Sequence, residues 1–199
     1  MVGAATWHAA MVEIVIGSLT LSTICTICCI QQSVKIPIGK LQFSKKTLEA
    51  MDKAALAGAI LGVLMMPGAI FTGDLASLGT PDDNILLYNK FLYSGLSLGF
   101  WAAYVYCRLR FGQEIWKNRI LSIFQILMAL AAFTMTASVA SIGGKLVRGE
   151  SLFDILPFWI PLDQTIVISP GISMFLILIG TLSIISTLKG KKASLQTID

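Results

Sequence analysis

The chain has 199 residues, of which 55% are hydrophobic and only 13% charged, and its mean hydropathy is +0.78. A soluble domain carries about 25% charged residues, so composition excludes an ordinary soluble fold, a disordered chain and a fibrous repeat. The net charge of +4 falls in short clusters between apolar runs with no aromatic interleaving, which excludes a nucleic-acid interface.

The first apolar run, over 7–30, has no Lys or Arg before it and holds Glu13. It is read as a retained span rather than a cleaved signal peptide. Four more runs follow at 54–78, 86–107, 120–143 and 170–188. Each approaches the roughly 20 residues needed to cross about 30 Å of hydrocarbon. None alternates like a barrel strand, and backbone groups in lipid must be satisfied internally. The expected fold class is therefore all-α: a polytopic membrane helical bundle of about five transmembrane helices, forming a single integral membrane domain over 1–199.

The loops supply an independent test. Lys35, Lys40, Lys45, Lys46 and Lys53 lie between the first two runs, Arg108, Arg110, Lys117 and Arg119 between the third and fourth, and Lys189, Lys191 and Lys192 after the fifth. Only Lys90, Lys145 and Arg148 fall on the other side. The bias places the N-terminus outside and the C-terminus in the cytoplasm of a multi-pass plasma-membrane protein. The lysines of the tail suit anionic lipid. The long fourth loop mixes Phe153, Phe158 and Trp159 with acids and with Pro157 and Pro161. A short amphipathic or re-entrant segment at the outer interface is expected there, facing lipid headgroups or a partner subunit.

Within the spans, Gly58 with Gly62 and Gly95 with Gly99 form two GxxxG pairs that let another helix approach closely, within the bundle or from another chain. Pro67 and Gly68 should kink the second span. His8, Glu13 and Asp74 are ionisable groups in or at the ends of spans, where such groups are costly and usually paired. A His8–Asp74 hydrogen bond is expected at similar depth, and Glu13 is expected to pair with Lys145 or Arg148. The same three residues are the candidate metal or proton-transfer set, although Glu13 is rotated about 140° from His8 around the helix. With one histidine in the chain, bis-histidine haem is excluded. Cys25, Cys28, Cys29 and Cys107 fall at cytoplasmic span ends and are read as small packing residues. The aromatic third span, with Phe100, Trp101 and Tyr104, is read as packing. No nucleophile with a base, P-loop or nucleotide motif is present.

His8 at the start of an apolar helix, Gly73-Asp74 at the end of the second span, and the SIGGKLVRG stretch at 141–149 resemble a family of multi-pass membrane proteins of unknown function found in bacteria and archaea. The likeness covers roughly 7–150. In that family a second histidine often follows five residues after the first and another opens the third helix. Here Glu13 and the Tyr88-Asn89-Lys90 stretch occupy those places. A shared scaffold lacking the ligands implies an accessory subunit.

The leading expectation is a noncatalytic integral membrane subunit of a larger complex, an oxidoreductase of respiratory or copper monooxygenase type, with other membrane subunits and the bilayer as partners. No cofactor is expected, and bound lipid is. The alternatives are a metal- or quinol-interacting redox protein using His8 and Asp74, and a small transporter hinged at Pro67.

Overall fold

The computed structural model describes residues 3–34, 42–77, 84–151 and 154, all within the first of two compact units, Met1–Asp163. Four long helices and two short ones make up this part: α1 (Ala4–Cys29), α2 (Gln31–Val34), α3 (Lys45–Ala76), α4 (Ile85–Phe111), a 3-10 segment (Gly112–Lys117) and α5 (Arg119–Arg148). The described residues form no strand. The expected span 170–188 and the expected interface residues Phe153, Phe158 and Trp159 lie outside the described residues.

α3, α4 and α5 each begin where a side chain takes up orphaned N–H groups. Ser44 accepts from the Thr47 amide at 3.2 Å, Asn84 from Leu86 and Leu87, and Asn118 from Ile120 and Leu121. The second span starts at Lys45, nine residues before the apolar run, because hydropathy ends at charges whereas a helix does not. KKTLEAMDKAA is composed of good helix formers behind a serine cap. α3 continues through Pro67 to Ala76; the proline leaves the Val63 carbonyl without its intrahelical donor.

Among the described residues three helices are long and apolar enough to cross a membrane: Ala4–Ser33, Lys45–Ala76 and Arg119–Arg148. This is the pattern of a membrane protein. α4 has the length, at 27 residues or about 40 Å, but not the hydropathy. Its Asn89, Ser94, Ser97, Tyr104 and Arg108 are polar and all buried, so its composition serves the interior of the bundle rather than its rim.

The outer surface is apolar, and the interior sets polar groups among an apolar core. Leu64, Phe71, Leu109 and Ile120 are 64–77% exposed, whereas Ser22, Thr26, Ser97, Ser122 and Gln125 are at most 1% exposed. In water such an outer surface would drive association. In hydrocarbon it is the stable arrangement, with hydroxyl and amide groups turned inward to pair across helices.

α1 and α3 run antiparallel in close contact. A Cβ on Gly58 would lie 2.7 Å from the Ser18 carbonyl oxygen, and one on Gly62 would lie 2.3 Å from the Leu19 side chain. Ser22 Oγ donates to the Ala55 carbonyl at 2.7 Å across the same seam. This GxxxG pair is thus an internal helix contact. α4 and α5 form a second antiparallel hairpin, in which Ser97 Oγ and Thr136 Oγ1 are 2.7 Å apart and Trp101 Nε1 donates to Thr136 Oγ1 at 3.1 Å. Gly95 and Gly99 are exposed, and among the described residues nothing lies within 4 Å of a Cβ placed on either. The two motifs differ because small residues permit approach without selecting a partner, and α1 presents Ser18, Leu19 and Ser22 to one pair only.

Gly58→Ala should therefore destabilise the protein in detergent by about 1–3 kcal/mol, since a backbone carbonyl cannot move aside as a side chain can. Gly99→Ala should be neutral or slightly stabilising within about 1 kcal/mol, through helix propensity alone. Thermal unfolding of the two variants beside the parent checks both.

Candidate functional site

The polar interior is densest at the end of the bundle that carries the 3-10 segment. Its centre is Asp52, on the buried stripe of α3 that also includes Leu48, Ala55, Ala59, Gly62, Met66 and Ala69. The stripe has helical period, so Asp52 points inward because of its register. Arg108, on the buried face of α4, donates from Nη2 to Asp52 Oδ2 at 2.5 Å, and the two side chains are 3% and 2% exposed. Trp116 Nε1 donates to the other oxygen, Oδ1, at 2.6 Å. Both carboxylate oxygens thus receive a donor from a different element.

The chain turn that brings Trp116 there depends on Gly112. This residue closes α4 with φ +61° and ψ −150°, a conformation open to glycine and strained for other residues. Its carbonyl accepts from Arg108 Nη1. The 3-10 segment folds back from this point and buries Ile115 and Trp116 to 1% exposure, where they pack with Cys29 and Ile126. Ser33 Oγ contacts the Trp116 carbonyl and Ser122 Oγ, while Ser122 Oγ also lies 2.9 Å from the Ile115 carbonyl. The node therefore ties α2, α3, α4, the 3-10 segment and α5 together.

A second tier lies one turn deeper. Tyr104 Oη and Thr26 Oγ1 are 2.7 Å apart, joining α4 to α1, and Gln125 Nε2 donates to the Tyr104 carbonyl at 3.1 Å, joining α5 to α4. Trp101 meets the Tyr104 ring edge to face, with centroids 5.4 Å apart. Arg108 Nε and Gln125 Oε1 are buried and have no hydrogen-bond partner among the described residues. With Trp116 holding Oδ1, Asp52 meets the guanidinium through a single oxygen, which is why Nε is left over.

The sequence-derived candidates sit elsewhere. His8 is half-buried against α3, its Nδ1 2.9 Å from the Ala69 carbonyl and 3.4 Å from Thr72 Oγ1. Gly73 makes room for the ring, since a Cβ there would lie 2.7 Å from Cε1. A carbonyl neighbour requires Nδ1 to carry the proton, so His8 binds α3 backbone in place of the expected Asp74 carboxylate. Asp74 and Glu13 are exposed. Lys145 pairs with Asp154 at 3.6 Å rather than with Glu13. No group of three or more His, Cys, Asp or Glu residues able to hold a metal occurs among the described residues, so His8, Glu13 and Asp74 are not brought together. Cys25, Cys28, Cys29 and Cys107 are free thiols, and Cys29 Sγ lies 3.6 Å from the Leu48 carbonyl.

Sequence reading passed over the node. In the sequence Asp52 lies beside Lys53, ahead of the apolar run at 54–78, and Arg108 lies among the basic residues between the third and fourth runs. The available signal was the register of Asp52 on the apolar stripe of α3. Comparison with protein-family profiles, curated proteins and solved structures finds no match for this chain.

Both oxygens of the Asp52 carboxylate are turned to donors from other elements of the same chain. Asp52→Asn or Arg108→Met alone should cost about 3–5 kcal/mol, because each leaves a buried partner uncompensated. The double variant should cost clearly less than the sum of the two. Equilibrium unfolding of all four proteins, compared as a cycle, measures the coupling.

Proposed function

We propose that this chain is an integral membrane protein of five spans, with its N-terminus outside and its C-terminus in the cytoplasm, acting as a noncatalytic accessory subunit of a larger membrane complex. The observation that carries the subunit reading is the contrast between the two glycine pairs. Gly58 and Gly62 are filled by α1, whereas Gly95 and Gly99 are exposed on α4, Gly95 beside Tyr88, Phe91, Leu92 and Leu96. A face built for close helix approach, on a helix whose own polar side is already used within the bundle, suits docking of another membrane helix.

The orientation is supported by the distribution of charge on the described bundle. Lys45, Lys46, Lys53, Arg110, Lys117 and Arg119 belong to the 3-10 end, and Lys90, Lys145 and Arg148 to the opposite end. Under the positive-inside rule the 3-10 end is cytoplasmic. The ion-holding alternative gains no such support, because His8 spends Nδ1 on α3 and its proposed companions face outward.

In a cysteine-free background, Arg148→Cys should react with an impermeant maleimide on intact cells, and Lys117→Cys only after permeabilisation. Labelling of 117 from outside would contradict the orientation. Gentle extraction should give a native mass above that of the monomer with its detergent, and Gly95→Leu with Gly99→Leu should reduce it to monomer without unfolding the chain. A monomeric parent would contradict the subunit reading.

A further inference from the structure

The two hairpins meet along the α3–α4 seam, and the seam is unevenly closed. At the 3-10 end it is drawn together by Asp52 and Arg108. At the opposite end it opens into a groove of about 340 Å³ lined by Pro67, Ile70, Phe71 and Asp74 of α3 and Phe91 and Leu98 of α4. That volume falls at the lower end of the ~300–1,000 Å³ range of ligand pockets. Pro67 and Asp74 stand seven residues apart on α3, as do Phe91 and Leu98 on α4. Apolar walls therefore run about 10 Å along the helices from a single carboxylate at the rim.

The rim residue decides the occupant. Asp74 Oδ atoms have no hydrogen bond or ion pair among the described residues, and the residue stands two positions before the end of α3. Phe71, which lines the groove, is 64% exposed, so the groove opens sideways onto the apolar outer surface of the bundle. A ligand entering there comes from the surrounding hydrocarbon, chain first, with its polar end at the helix terminus. An anionic headgroup would be repelled by Asp74, while one bearing N–H donors would be held by charge-assisted hydrogen bonds.

We infer that the α3–α4 groove binds one lipid of the outer leaflet, its acyl chain along Pro67, Ile70 and Leu98 and an ammonium-bearing headgroup on the Asp74 carboxylate. The inference rests on the membrane reading and orientation given above. The lipid fills the gap that the α3–α4 seam leaves at this end, and so completes the packing of the bundle.

The test uses the full chain reconstituted in nanodiscs of equal phosphatidylethanolamine and phosphatidylglycerol, released into mild detergent for native mass spectrometry. The expected result is one retained phospholipid, with phosphatidylethanolamine favoured severalfold. Asp74→Asn should level that preference while the lipid is still retained. Ile70→Trp and Leu98→Trp, which fill the groove from opposite walls, should each lower retention severalfold in protein that stays helical and monodisperse. A folded protein that retains no lipid, equal retention of the two lipids by the parent, or retention indifferent to both tryptophan variants would overturn the inference. So would photo-crosslinking from position 98 that yields only protein adducts. A chain that leaves the membrane in alkaline carbonate would instead defeat the membrane reading itself, which separates the two failures.

Discussion

An ionised carboxylate enclosed among helices must be met by donors, and in this protein that requirement organises the bundle. Asp52 brings α3 its charge, Arg108 brings α4, and Trp116 brings the turn that leads into α5. The pair is not a simple gain in stability, since desolvation of two charges offsets much of their attraction. Its effect is on specificity: any arrangement of the hairpins that separates the partners leaves a buried charge alone. The positive φ of Gly112 and the burial of Trp116 follow from the same demand, because the indole reaches Oδ1 only if the chain reverses immediately after α4.

Away from this node the interior relies on neutral pairs. Thr26 with Tyr104, Ser97 with Thr136 and Ser22 with the Ala55 backbone form successive tiers between helices whose outer faces are apolar. Each neutral pair is modest in hydrocarbon, commonly about 0.6 kcal/mol and up to 1–2. Ser22 with Ala55 and the close approach at Gly58 hold the α1–α3 hairpin and Ser97 with Thr136 holds the α4–α5 hairpin, while the ion pair, with Thr26–Tyr104 one turn deeper, sets one hairpin against the other. The α3–α4 seam is correspondingly firm at the 3-10 end and open toward Asp74.

The helical class and the apolar runs of α1, α3 and α5 were legible from hydropathy, because a span needs a long apolar stretch whatever its partners. The ends were less legible. α3 begins at Lys45 since capping by Ser44 and helix propensity extend it beyond the hydrocarbon-sized run. The internal role of Gly58 and Gly62 could be read as helix approach, but not the different fate of Gly95 and Gly99, which depends on what α1 presents. His8 was recognised as a polar group needing a partner, yet the partner is a backbone carbonyl exposed to it by Gly73, and carbonyls leave no mark in a sequence. Asp52 and Arg108 were hidden for the opposite reason. Both sit beside other charges, Lys53 and Arg110, and a local charge cluster reads as a loop unless helical register is followed through it.

Pulsed electron–electron resonance between spin labels at positions 53 and 117, both exposed and both beside the node, tests the central claim most directly. In nanodiscs the parent should give one narrow distance distribution, and Arg108→Met should broaden it or shift it while a label pair within α1 and α3 stays unchanged. A distribution at 53 and 117 that is unaltered by loss of the guanidinium would contradict the view that the Asp52–Arg108 pair sets the two hairpins against each other.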